Sequence, residues 1–179
     1  ILRCLVGSEM CIRDRWKGRP MSKDGIVYKH IWDTFRAVEF APDDISAIES
    51  NPNRNGEITK LHYLKWSVAL RILTENFPDH KIEFERFDRG GKVYDVMYYA
   101  SEGCSVHCTI TIEGVSRDMW LAVTDYRHNA VTNPDARDIS DSKMRCMVKC
   151  LALFGLGIEI YEGKYVEPAE VQDESQKSQ

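Results

Sequence analysis

The chain has 179 residues, 43% of them hydrophobic, and a formal net charge of -4 at pH 7. That length suits one domain of ordinary size, and the negative balance excludes a globally basic nucleic-acid binder, so any grip on phosphates must come from a local patch. No run approaches the roughly 20 consecutive apolar residues of a membrane span, and cysteines at 4, 11, 104, 108, 146 and 150 do not form the dense framework of a small secreted domain; a soluble, intracellular chain with reduced thiols is expected.

The opening run from Cys4 to Arg15 resembles a translated sequencing-adapter string. Residues 1–20 are therefore set aside as a non-native leader, with Met21 as the expected start. Ile31, Trp32, Phe35 and Val38 recur at helical spacing between Tyr28 and Phe40, and Pro42-Asp43-Asp44 breaks the pattern. Residues 50–56 concentrate turn formers, and the compact core is expected to begin just after them.

Leu61, Leu64, Val68 and Ile72, widened by Trp66, Leu70 and Leu73, predict a helix of about four turns that Pro78 ends. Ile82 to Arg89 and Lys92 to Ala100 read as strands joined at Gly90-Gly91, a hairpin signal. Val106, Cys108, Ile110 and Ile112 alternate strictly with polar residues, and Gly114 leads into a further strand from Val115 to Thr124. After a loop over Tyr126 to Asp138 comes a second strong helix, expected to be capped by Ser140 or Asp141 and stopped by Gly155. About four antiparallel strands packed with two main helices predict an α+β fold. Residues 166–179, acidic and Ser/Gln-rich, read as a flexible tail, and 21–56 as a helix and loop leading into a core over 57–165.

On the last helix Met144, Met147, Val148, Leu151 and Phe154 fall on one side, and Arg145 and Lys149 lie together on the other, one turn apart. Two cations at that spacing reach successive phosphates of a strand laid across the helix; they are also what an ordinary solvated face looks like. Lys143 is a further candidate on the same helix, as is Lys164 beyond it. Tyr94 and Tyr98, with Lys92 beside them, are candidate stacking platforms for unpaired bases, set against plain packing in a strand.

Other chemistries have less support. Cys104, Cys108, Cys146, Cys150 and His107 lack short CxxC spacing, and small buried thiols explain the cysteines better than zinc. Gly157 to Lys164 misses the phosphate-loop pattern. Asp118, Asp125, Asp138 and Asp141 allow a metal-dependent nuclease to be imagined, though turn and cap roles explain three of them. No Ser/His/Asp spacing supports a hydrolase, and no cofactor or metal is expected.

Three strings carry a family resemblance: Tyr63-Leu64-Lys65-Trp66; Ile112-Glu113-Gly114-Val115-Ser116-Arg117-Asp118-Met119-Trp120-Leu121; and the run from Met144 to Gly157 that includes Phe154-Gly155-Leu156-Gly157. Across about 57–165 the chain resembles the Sak-type phage single-strand annealing proteins, of the superfamily that includes the eukaryotic Rad-fifty-two recombination mediator. The resemblance implies a non-enzymatic annealing core that binds single-stranded DNA without ATP during phage homologous recombination, in the cytoplasm of a bacterial host. It places Arg145 and Lys149 on the helix lining the DNA groove. It also implies a homo-oligomeric ring or filament, and leaves the acidic tail as a docking segment for a host single-strand binding protein or a mere solubilising end. The alternatives are the nuclease and a non-catalytic structural or regulatory binding module.

Overall fold

The computed structural model describes residues 22–49, 60–100, 102–125 and 129–163. The leader 1–20, the loop 50–56 and the tail 166–179 lie outside the described residues. The fold is α+β, with antiparallel pairing throughout.

Helix α1 spans Lys23–Arg36, starting five residues before the periodicity suggested because Ser22 caps it: its Oγ accepts the Gly25 N–H at 3.1 Å. Pro42–Asp44 form one 3₁₀ turn. The next segment departs from the sequence expectation. β1 (Ile45–Glu49) and β2 (Lys60–Leu64) pair with Ile45 opposite Leu64 and Glu49 opposite Lys60. The expected four-turn helix is thus a strand followed by α2, Trp66–Asn76. Leu61 and Leu64 fit a helical period, but Leu61 is half exposed while Leu64 is buried, as period-two strand geometry requires of residues three apart.

The Gly90-Gly91 turn is present, with φ of 65° and 81°, left-handed values that a tight hairpin needs at both central residues. Only β4 (Phe87–Arg89) and β5 (Lys92–Tyr94) pair across it. The outer parts of the two expected long strands leave the hairpin for a larger sheet: β3 (Lys81–Phe84) and β6 (Met97–Tyr98) both pair with β7, Cys104–Ile112. β8 (Val115–Ala122) pairs along the other side of β7, Ile112 opposite Val115 and Ser105 opposite Ala122.

Helix α3, Ala136–Ala152, lies on β7 and β8. Its cap is Asp135, not Ser140 or Asp141. The Asp135 carboxylate accepts the N–H groups of Arg137 (2.8 Å) and Asp138 (2.9 Å), and Asp138 returns a contact to the Asp135 N–H at 3.2 Å. This reciprocal arrangement satisfies orphan amides at the helix start. Gly155 (φ 103°) turns the chain after Leu153, with Leu156 N–H reaching Leu151 O at 3.3 Å, and α4 (Ile158–Tyr161) follows.

The core runs continuously from α1 and the β1–β2 pair through α2, β7, β8 and α3 to α4, and the β4–β5 hairpin lies outside it. Ile31 and Phe35 of α1 are as buried as Leu73 of α2, Ile110 of β7 and Leu151 of α3. Tyr28 donates its hydroxyl to Leu153 O at 2.7 Å, and Phe35 and Phe77 meet edge to face at 5.2 Å. α3 is buried on two sides. Cys146 and Cys150 face the sheet, whereas Met147, Val148 and Leu151 are buried away from it, where α2 packs. Beyond its exposed first turns (Ala136, Arg137, Ser140 and Asp141), the helix meets solvent mainly along the strip that holds Arg145 and Lys149.

Candidate nucleic-acid interface

The thiols fix the orientation of α3. Cys146 Sγ donates to Met119 O at 3.3 Å, and Cys150 Sγ to Arg117 O at 3.3 Å, so the helix runs antiparallel to β8 with Cys146 level with Met119 and Cys150 level with Arg117. Burial pushes the Cys146 thiol up to about 12; Cys108 is raised as well, by its hydrogen bond to Cys150 and by burial. These cysteines are packing groups with satisfied donors. Among the described residues, no three His, Cys, Asp or Glu side chains come together as a metal-binding group. Nor do the four aspartates converge: Asp125 holds the Asn129 amide at 2.9 Å, Asp138 belongs to the cap, Asp141 faces Arg137 at 3.8 Å, and Asp118 lies on the opposite face of the sheet from α3.

At roughly 100° per residue, Arg145 and Lys149 are 40° apart on the strip between the two buried sides, along the seam where α3 meets β8. Arg145 is exposed, and its guanidinium donates to Thr124 Oγ1 at 3.3 Å, just beyond β8. Lys149 is partly exposed. Among the described residues no carboxylate lies within ion-pairing distance of either cation.

Lys143 is placed differently. It is on the other flank of α3, with its Nζ 3.2 Å from Asp95 Oδ1 and 5.4 Å from the centre of the Phe84 ring, and its side chain is 19% exposed. Asp95 also meets Arg86 at 3.3 Å. The structure therefore joins Arg145 with Lys149 and separates Lys143 from both. Lys164 lies outside the described residues.

Tyr94 and Tyr98 meet each other edge to face at 5.5 Å, and the Arg89 guanidinium lies 5.6 Å over the Tyr98 ring. Both tyrosines are half-buried, whereas Lys92 is exposed at the tip of the β4–β5 hairpin.

Two arrangements escaped sequence reasoning. Arg117 sits opposite Ile110 in the sheet and so shares the helix-facing side; its guanidinium lies 4.4 Å over Tyr28 and 6.0 Å over Phe154, without a carboxylate partner among the described residues. Its backbone stands level with Cys150, whose thiol donates to Arg117 O, and its guanidinium also donates to Ser116 O at 2.9 Å. The signal was available, because alternation through Val115, Met119 and Leu121 puts a cation on the apolar side. On the opposite sheet face, Glu85, His107, Ser105 and Tyr99 form a chain, with contacts of 3.5 Å from Glu85 to His107 Nδ1 and 3.0 Å from His107 Nε2 to Ser105 Oγ. Its order resembles an acid–base–nucleophile relay, but Ser105 is 0% exposed and no substrate can reach it.

The family model for the Sak single-strand annealing protein matches residues 43–179, three quarters of the chain, from the residues leading into β1 onward. The chain belongs to the Sak single-strand annealing protein family. A search of curated proteins finds no match. The family match is wider than the 57–165 of the sequence resemblance, and it takes in the β1–β2 pair that periodicity missed. Membership makes single-strand annealing the role of this fold, and α3, β7 and β8 lie wholly within the matched span. No described helix is long and apolar enough to cross a membrane.

Proposed function

We propose that this Sak-family chain binds single-stranded DNA along the α3–β8 seam and anneals complementary strands without ATP, in phage homologous recombination inside a bacterial cytoplasm. The observation that carries the reading is the pair Arg145 and Lys149, one turn apart on the solvent strip of α3 and free of carboxylate partners among the described residues. Cations so placed grip phosphates and leave base edges accessible. Base-pair stacking, about 1.4 kcal/mol per step, then drives pairing without a nucleotide. We assign Arg117, whose backbone is level with Cys150 on the helix-facing side of β8, as a further phosphate contact.

A chain of net charge -4 needs its short basic seam repeated, and a ring or filament of identical copies does this by placing seams end to end. The acidic segment 166–179 is available to a host single-strand binding protein. The direct test mixes purified protein with complementary oligonucleotides in the absence of nucleotide. Pairing is accelerated at low salt, and binding weakens with a slope of about -0.7 per phosphate contact as log salt rises. No acceleration, or a flat salt response, rejects the reading. Cleavage of the labelled strand in magnesium or manganese supports a nuclease instead.

A further inference from the structure

We infer that the tip of the β4–β5 hairpin is a second phosphate grip for single-stranded DNA, formed by Arg89 and Lys92. The inference rests on the annealing reading, but it concerns a place on the opposite flank of α3 from the seam.

The ladder sets Phe87 opposite Tyr94, Asp88 opposite Val93 and Arg89 opposite Lys92. Strand alternation puts Phe87, Arg89, Lys92 and Tyr94 on one face of the ribbon. Its outermost pair is thus two exposed cations set directly across from each other, an arrangement that weakens a hairpin unless an anion lies between them. Among the described residues no carboxylate pairs with either one. The acidic groups nearby are engaged elsewhere: Asp95 takes Arg86 and Lys143, and Asp88 Oδ1 accepts the Gly91 N–H at 3.2 Å, on the other face.

The support beneath the tip is rigid. Gly90 and Gly91 make the tightest connection a hairpin allows, and Asp88 ties the turn down. Tyr98 carries Arg89 on its ring, with Tyr94 set edge-on against Tyr98 and Phe87 edge-on against His107 at 5.1 Å. Stacking on an aromatic face leaves the guanidinium edge free to donate to phosphate oxygens. The tyrosines serve here as the floor that positions Arg89, with their rings already partnered, and the ligand class is the phosphodiester backbone, read without regard to sequence.

The test measures binding of a labelled oligothymidylate by the full chain across a salt series, for the parent, Arg89→Ala/Lys92→Ala and Arg145→Glu/Lys149→Glu. Both hairpin residues are exposed, so circular dichroism stays at the parent's signal, and the loss of the Arg89–Tyr98 stack and of the cation–cation repulsion moves the melting temperature by only a few degrees. The hairpin variant is expected to bind about tenfold more weakly, with the salt slope shallower by about 1.4, two contacts' worth for a single strand. Arg89→Lys keeps the charge but loses the planar fork, and falls between the parent and Arg89→Ala. At matched ionic strength, replacing chloride by inorganic phosphate leaves the parent's binding within about twofold, since a free phosphate lacks the polymer's further contacts along the chain; a drop of about tenfold would overturn the polymer reading. A hairpin variant that matches the parent in affinity and slope overturns the inference. So does one that binds DNA normally but changes the size of the assembly, which marks the tip as a contact between copies. If the parent itself binds no strand, the annealing reading falls; if the parent binds and the hairpin variant equals it, only the hairpin grip falls.

Discussion

Lys143 and Arg145 are two residues apart on one helix and end on opposite flanks of it with opposite electrostatic surroundings. Lys143 is roofed by Phe84 and paired with Asp95, so its charge is spent inside the protein. Arg145 faces solvent, donates to the neutral Thr124 hydroxyl with no ion-pair partner among the described residues, and has Lys149 one turn on. A cation's value to a ligand depends less on its residue type than on whether a carboxylate already holds it. Helix α3, sandwiched between sheet and helices, sorts its cations this way because it leaves a narrow strip uncovered.

The largest effect that tests this contrast is on DNA. Arg145→Glu/Lys149→Glu is expected to reduce single-strand affinity and annealing rate about 100-fold, roughly 2.7 kcal/mol, as removal of two charge-assisted contacts with reversal of sign predicts. Lys143→Gln, measured in the same titration, stays within about twofold. Equal losses in the two variants break the contrast between the flanks.

Next in size is a change to the scaffold that both flanks share. Gly155 has φ 103°, and a Cβ there would stand 3.1 Å from the Trp32 ring and 3.3 Å from the Trp32 carbonyl oxygen. Gly155→Ala therefore combines backbone strain with a clash, and is expected to cost about 2 kcal/mol in urea denaturation. The Tyr28–Phe154–Arg117 stack sits at that end of α3, so this variant should also weaken DNA binding if Arg117 takes part. Unchanged affinity in a folded Gly155→Ala confines the seam to Arg145 and Lys149.

How far these features were legible in the sequence follows from the range of the forces that made them. Alternation along Val106 to Ile112, the Gly90-Gly91 turn and the apolar period of α3 are local and were read correctly. Leu61 and Leu64 suit a helical period because a five-residue strand satisfies both periods, and the partner of that strand, Ile45–Glu49, is separated from it by residues 50–59. The cap at Asp135 was written as Asp135-x-x-Asp138, but Ser140 and Asp141 offered the same chemistry three to six residues later. The seam was half legible: one turn joins Arg145 to Lys149 and about 200° of helix separates Lys143 from Arg145, whereas the pairing of Lys143 with Asp95 and the stacking of Arg117 on Tyr28 and Phe154 depend on tertiary packing.

A smaller effect separates structure from binding on the Lys143 flank. Lys143→Met removes a largely buried partner of Asp95 while keeping the aliphatic contact with Phe84, and Asp95→Asn removes the other half. Each is expected to lower stability by about 1 kcal/mol, with Asp95→Asn also releasing Arg86. The double variant loses less than the two single losses combined, because the pair acts as a unit. Additive losses would mean that the two side chains act independently, and the flank would then be held by packing alone.

The smallest effect tests the third side of α3, where the thiols meet the sheet. Cys146 has its thiol raised from an ordinary value of 9.0 to about 12, first by burial and then by Cys150, with the Cys108 backbone and Lys149 acting the other way. A thiol held protonated by the fold contributes its full stability below the unfolded value, and that stability declines as pH rises from about 9 toward 12, because the unfolded chain gives up its proton first. The loss is less than about 1 kcal/mol at pH 9.5, and is read as a falling urea midpoint. Cys146→Ala also loses packing, so the comparison is between slopes against pH. The variant's midpoint should fall less steeply than the parent's, while its DNA affinity relative to the parent stays constant over the same range. Parallel slopes would place the alkaline sensitivity on Cys108 and Cys104, whose thiols are also raised. A DNA affinity that tracked the thiol would show that the sheet side of α3 and its solvent strip are not independent.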